Sequence, residues 1–164
     1  MAYVLPGTGS GAYRGKFVVM TAQVVAEARR WIGTPYRHQA SMLGAGTDCL
    51  GLLRGVWRGL LGAEPVLPPA YSQDWSEAGG REEMLAAARL WLRVVPLGSQ
   101  VQEGQVLVFR MRAGAVAKHL GIAASRCSYS TFIHAYSGHA VVETPLSAPW
   151  ARRIAGRFTF PLGD

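Results

Sequence analysis

Apolar residues change their spacing near Pro96, and that change divides the chain into two halves of different character. Upstream they recur every three or four residues, the period of an amphipathic helix. Thr21 is placed to cap the segment "AQVVAEARRWIG", in which Val24, Val25, Ala28 and Ile32 share one face, and Gly33 and Pro35 stop it. A second helix is expected from Cys49 to Leu61, with Leu50, Leu53, Val56, Trp57, Leu60 and Leu61 making a wide apolar face. "GREEMLAAARLWLRVV" reads as a third, with acids in its first turn where the helix dipole favours them. Between these helices, "GTPYRHQASMLGAGT" is a loop and "AEPVLPPAYSQDW" a proline-broken connection.

Downstream the period shortens to two. "GQVLVFRMR", "AKHLGIAAS", "TFIHAYSG", "HAVVETPL" and "AGRFTFPL" read as short strands punctuated by Gly, Ser or Pro. Helices first and an antiparallel sheet second make an α+β domain. Residues 1–19 are Gly-rich and weakly patterned, so they read as an extension or arm, and residues 20–164 as one domain. Trp31, Trp57 and Trp91, at helical spacings, are expected mostly in the core.

Composition narrows the class. With 164 residues, 49% hydrophobic and 16% charged, the chain is long enough for one folded domain with its own core. No apolar run reaches the roughly 18–20 residues of a membrane span, and the N-terminus lacks a secretory apolar segment. Synthesis in the cytoplasm is therefore expected. The net charge of +7 favours polyanionic partners, including an acidic wall polymer. The arginines are nevertheless scattered, without a basic run interleaved with aromatics, so no direct nucleic-acid binding is expected.

The candidate chemistry starts at "TDCLGLLRGVW". Cys49 opens the second helix, with Thr47 or Asp48 as its cap. Unpaired N–H groups and the helix dipole favour an anion there, so the position suits a thiolate nucleophile. The ordinary alternative is a small core filler. A nucleophilic Cys needs a base and a group that orients the base. His119, which shares a strand face with Gly121 and Ala123, and His134 lie on consecutive expected strands, where they can be cross-strand neighbours.

Taken together, "ARRWIGTPYRH", "TDCLGLLRGVW", "KHLGIA" and "FIHAYSG" occur in the order found in the NlpC/P60 family of cell-wall cysteine peptidases, which this chain resembles over roughly residues 22–140. The form "GTPYRHQAS" followed by "TDCLGLLRGVWR" is similar to the subgroup found with bacteriophage tails and gene transfer agents. The resemblance implies a papain-like α+β fold, with Cys49 as nucleophile, His119 as general base and His134 as the residue orienting it. Tyr36 is implied beside the oxyanion or substrate, and Asp48 as a substrate contact as well as a helix cap. The implied reaction is hydrolysis of a peptidoglycan stem-peptide amide, with γ-D-glutamyl–diamino acid as the first expectation. It needs no metal or organic cofactor. The subgroup implies carriage in a tail tip or baseplate, contact with hub proteins through residues 1–19 and 65–75, and action in the recipient's wall. Many relatives follow the Cys with serine, which helps bind substrate; Leu50 stands here instead and cannot make that hydrogen bond. A structural tail component, or an amidase or acyltransferase using the same triad, are the alternatives.

The remaining candidates are weaker. His38 either lines the substrate cleft or faces solvent, and His139 reads as a turn residue. Cys127 has no evident base, and a Cys49–Cys127 disulfide is not expected. Trp75 and Trp150 either pack in the core or stack on a sugar or a partner.

Overall fold

The structure is a computed structural model that describes residues 10–72 and 79–163, with side chains from Met20 onward in the first helix. Three helices come first: α1 (Ser10–Arg30), α2 (Cys49–Leu61) and α3 (Glu83–Trp91). A two-stranded hairpin, β1 (Ser41–Met42) and β2 (Gly46–Thr47), lies between α1 and α2. The second half supplies β3 (Arg93–Val95), β4 (Val106–Arg110), β5 (Ala117–Arg126), β6 (Tyr129–Ala135), β7 (Val141–Pro145), the short helix α4 (Ala148–Ala151) and β8 (Ile154–Thr159). Strands β3 to β8 form one six-stranded sheet of order β3-β8-β4-β5-β6-β7. Every pairing in it is antiparallel.

Both faces of that sheet are covered. Val106, Val108, Leu120, Ile122, Ile133 and Phe158 meet the apolar sides of the three helices. Leu107, Phe109, Ala123 and Phe132 point the other way, into a smaller cluster closed by Leu146, Trp150 and Ile154. This is why "VLVF" in β4 is apolar at every position rather than alternating: a central strand covered on both sides has no solvent face.

The helix α2 occupies the expected residues, but its innermost face is not the leucine stripe. Gly51, Leu52, Gly55 and Val56 are buried, while Leu50, Leu53, Trp57, Leu60 and Leu61 pack around the edge of the core. The two glycines explain the shift. A Cβ on Gly51 would collide with the Ala40 carbonyl, and one on Gly55 with the Trp31 indole, so the helix presses against both through its bare backbone.

Four expectations are corrected. The helix containing Thr21 begins at Ser10, so Thr21 lies inside it; no proline interrupts residues 10–20 to stop the backbone ladder. Residues 1–9 of the expected arm lie outside the described residues. That helix also ends at Arg30, leaving Ile32 40% exposed and Trp31 buried in its place. The third helix stops at Trp91, and "RVV" turns into the edge strand β3, paired with β8. Trp91 is 37% exposed rather than in the core. Among the described residues, no helix is long and apolar enough to cross a membrane.

Ion pairs use part of the cationic excess internally. The Glu143 carboxylate, buried between strands, accepts from Arg29, Arg126 and Thr131, and so ties the end of α1 to β5, β6 and β7. Burial works to raise its pKa, but these donors hold it down at about 2.

Candidate active site

Asp48 is the cap of α2. Its backbone is extended and its Oδ1 accepts from the Gly51 N–H at 2.7 Å, which satisfies one of the donors a helix start leaves open. Thr47 is buried beside it and donates instead to the Asp48 carbonyl. The other carboxylate oxygen, Oδ2, accepts from the Gln39 N–H and the Tyr71 hydroxyl, both at 2.7 Å. Asp48 is thereby held from three segments of chain and is 2% exposed.

The loop containing Tyr36 is sewn onto this start. Tyr36 N–H donates to the His139 carbonyl, Arg37 N–H to the Thr47 carbonyl, and Thr47 N–H to the Pro35 carbonyl. Tyr36 is half-buried; burial, then the negative charges of Cys49 and Asp48, raises its hydroxyl pKa. His38 does not stand open in a cleft: its Nε2 lies 2.7 Å from the Tyr71 carbonyl and its Nδ1 3.6 Å from Asp48 Oδ2. Tyr71 was not among the sequence candidates. Its only signal is position in the proline-broken connection, which gives no hint that the segment returns to the helix start.

Cys49 sits at the first position of α2, half-buried, with Sγ 4.0 Å from the Lys118 carbonyl on β5. Backbone N–H groups of Leu120, Leu50 and Cys49 itself pull its pKa down, as the helix start suggested. They do not win. Burial first, then the Asp48 charge, pushes the thiol up to about 12. The resting group is therefore a thiol, and to act as a nucleophile it would need a base to take its proton.

The two histidines singled out in the sequence come together in the fold. His119 on β5 and His134 on β6 face the same side of the sheet, and His119 Nε2 is 2.9 Å from His134 Nδ1. His134 Nε2 in turn is 3.0 Å from the Thr144 hydroxyl on β7. The pair is walled by rings: Phe132 stacks on His134 at 4.3 Å, and Trp150 lies 5.9 and 5.6 Å from the two imidazoles. Trp150 thus packs over the histidines. Burial, then the neighbouring His134, pushes His119 down to about 3; burial alone pushes His134 down to about 4.

Both imidazoles are neutral near pH 7, and this has a consequence for stability. In the unfolded chain a histidine takes up its proton near pH 6.5. The folded pair takes protons only near 3 to 4, so between these values the unfolded state binds more, and stability falls as pH falls. The loss is expected to begin below about pH 6.5 and to reach several kcal/mol, roughly, by pH 4. Glu143 adds its own loss only below about 4.3, where an unfolded glutamate titrates. Urea midpoints at pH 7 and pH 5 separate the two, and equal midpoints would rule out the neutral buried pair.

The other candidates fall outside this cluster. His139 is exposed and lies 5.4 Å from the Tyr136 ring. Cys127 is exposed at the β5–β6 turn, and both cysteines are free. Trp75 lies outside the described residues. No three His, Cys, Asp or Glu side chains among the described residues are grouped to hold a metal.

A search of solved structures finds this arrangement of helices and sheet elsewhere. The chain superimposes on the NlpC/p60 domain of the peptidoglycan hydrolase SagA with a TM-score of 0.56 and 23% identity, over 85% of this chain and 98% of that one. It superimposes on an NlpC/P60 family protein from Bacillus cereus with a TM-score of 0.57 and 16% identity, over 85% of this chain and 40% of that one. The chain has the NlpC/P60 fold. No protein-family model matches it, and neither does any curated protein. Within the NlpC/P60 fold of this chain, Cys49 on α2 meets β5 beside His119, while His134 and Thr144 continue across β6 and β7.

Proposed function

We propose that this NlpC/P60-fold chain is a cysteine peptidase that hydrolyses an amide bond of peptidoglycan stem peptides, with γ-D-glutamyl–diamino acid as the bond. The observation that carries this reading is the His119–His134 hydrogen bond on the strand that meets Cys49. A core-filling cysteine would not call for two buried, mutually bonded imidazoles, one of them adjacent in sequence to the carbonyl it meets. The likeness to the domain of SagA, described as a peptidoglycan hydrolase, supports the substrate class.

The geometry suggests the order of events. Cys49 Sγ attacks the scissile carbonyl carbon as its proton passes to His119, so the charged pair forms only as the bond forms. The negative oxygen is received by N–H groups at the start of α2, which the helix leaves unpaired, and by the Tyr36 hydroxyl. His119 then gives the proton to the leaving amine, and a thioester on Cys49 remains. Water, activated by the same imidazole, releases the acid and restores the thiol. In the same proposal the domain is carried by a phage-like tail or baseplate and acts on the recipient's wall.

The test is digestion of purified muropeptides with fragments read by mass spectrometry. New fragments with a free γ-D-glutamyl carboxylate support the reading and its bond; other fragment masses would reassign the bond, and intact muropeptides would refute the substrate. One observation favours a second reading. An apolar groove of about 240 Å³ is lined by Leu50, Leu53, Trp57, Leu67, Met84 and Trp91 among others. A stem peptide has little to fill it, so an amidase or acyltransferase acting on a substrate with an apolar group is the second reading. Its sign is intact muropeptides together with cleavage of acyl-amide substrates.

A further inference from the structure

His119 and His134 share four ring nitrogens, and three of them are engaged: His119 Nε2 with His134 Nδ1, and His134 Nε2 with Thr144 Oγ1. His119 Nδ1 makes no hydrogen bond with any described residue. It is the nitrogen left to take a proton from Cys49, and it can do so only if it carries none at rest. His119 must then hold its proton on Nε2 and donate it to His134 Nδ1. His134 in turn must hold its proton on Nε2 and donate it to the Thr144 hydroxyl. With the opposite polarity Thr144 would donate to His134, His134 to His119, and the last proton would sit on His119 Nδ1 and block the base.

We propose that Thr144 is a positioning residue that sets the tautomers of both histidines by accepting a hydrogen bond from His134 Nε2. This rests on the reading of Cys49 and His119 as nucleophile and base. Phe109, Phe132 and Trp150 present rings to the pair, and Tyr136 lies 5.6 Å from His134, centroid to centroid. Thr144 supplies the hydroxyl. Strand register puts it there: Thr144 pairs with Phe132 and Val142 with His134, so Thr144 and His134 are diagonal neighbours on one sheet face. A hydroxyl suits the task because it accepts without adding charge. When His119 becomes an imidazolium, the chain of donors already runs away from Cys49 and nothing has to rotate.

Two variants and one spectrum test the assignment. Thr144→Val keeps the branched shape and removes the acceptor. Its kcat/KM on muropeptides is expected to fall about tenfold to a hundredfold, short of the ~10⁴ that a forced wrong tautomer costs a triad. Thr144→Ser keeps the hydroxyl and is expected to stay within about threefold of the parent, the ordinary scatter for a retained contact. Independently of substrate, ¹⁵N shifts of the free protein at pH 7 are expected to show both histidines as Nε2–H tautomers, with His134 becoming a mixture in Thr144→Val. A proton on His119 Nδ1 in the parent, or unchanged tautomers in Thr144→Val, would overturn the proposal. Should Thr144→Val fail to fold, the parent spectrum and Thr144→Ser still decide it. Should muropeptides stay intact while the spectra come out as expected, the peptidase reading fails and the tautomer assignment stands.

Discussion

Replacing Cys49 by alanine is expected to lower muropeptide cleavage by a factor of about 10⁴–10⁶, the range for removing a nucleophile that works as a unit with its base. The fold should survive. The side chain is half-buried, its bond to the Lys118 carbonyl is long at 4.0 Å, and the Asp48 cap does not depend on it. His119→Ala should cost nearly as much, and the double variant little more than either single one, because each removes the same proton-transfer step. Single-turnover rates on a defined muropeptide, together with melting curves, provide the comparison. An alanine variant as active as the parent would return Cys49 to the role of core filler and move the chemistry elsewhere.

The second large effect concerns the cap. Asp48→Ala is expected to destabilise the protein by about 3–5 kcal/mol, which lowers Tm by very roughly 6–20 °C for a chain of this size. Three contributions add in the same direction. The helix loses its cap, the bond from the Gly51 N–H, which is worth about 1 kcal/mol. The Gln39 N–H group and the Tyr71 hydroxyl lose a charged acceptor in a place shielded from water. One effect opposes them in function only: the Asp48 charge raises the Cys49 pKa, so its removal eases thiolate formation even as the helix start loosens. Urea titration measures the stability. A midpoint within experimental scatter of the parent would show that water replaces the carboxylate without cost.

Tyr71→Phe removes one of these donors and spares the rest, so a loss of about 1 kcal/mol is expected from the same titration. A loss as large as that of Asp48→Ala would mean that the connection before residue 72 detaches as a whole.

The sequence determined whatever depends on neighbours along the chain. The period of apolar residues placed α2 at its residues, because a helix is decided by contacts three and four positions apart. The same argument found five of the six strands of the large sheet. Asp48 and Cys49 were legible at the helix start since capping is local, and His119 and His134 were legible as a pair because hairpin strands follow one another. The edge strand β3 was not: "RVV" continues a run of good helix formers, and only pairing with β8, some sixty residues later, makes it extended. Nor was the inner face of α2, where Gly51 and Gly55 lie deepest because Ala40 and Trp31 come up against them.

Tertiary structure alone decided the electrostatics. The helix start argues for a thiolate at Cys49, and that argument is sound for an exposed thiol. Burial against β5 reverses it, since removing water penalises the charged form more than a few N–H groups favour it. Tyr71 and Thr144 were invisible for a related reason: their roles come from where a loop and a strand return in space, and a single tyrosine or threonine carries no mark of that. What the chain announces is which residues stand at the candidate site; in what protonation state they wait is settled by the packing around them.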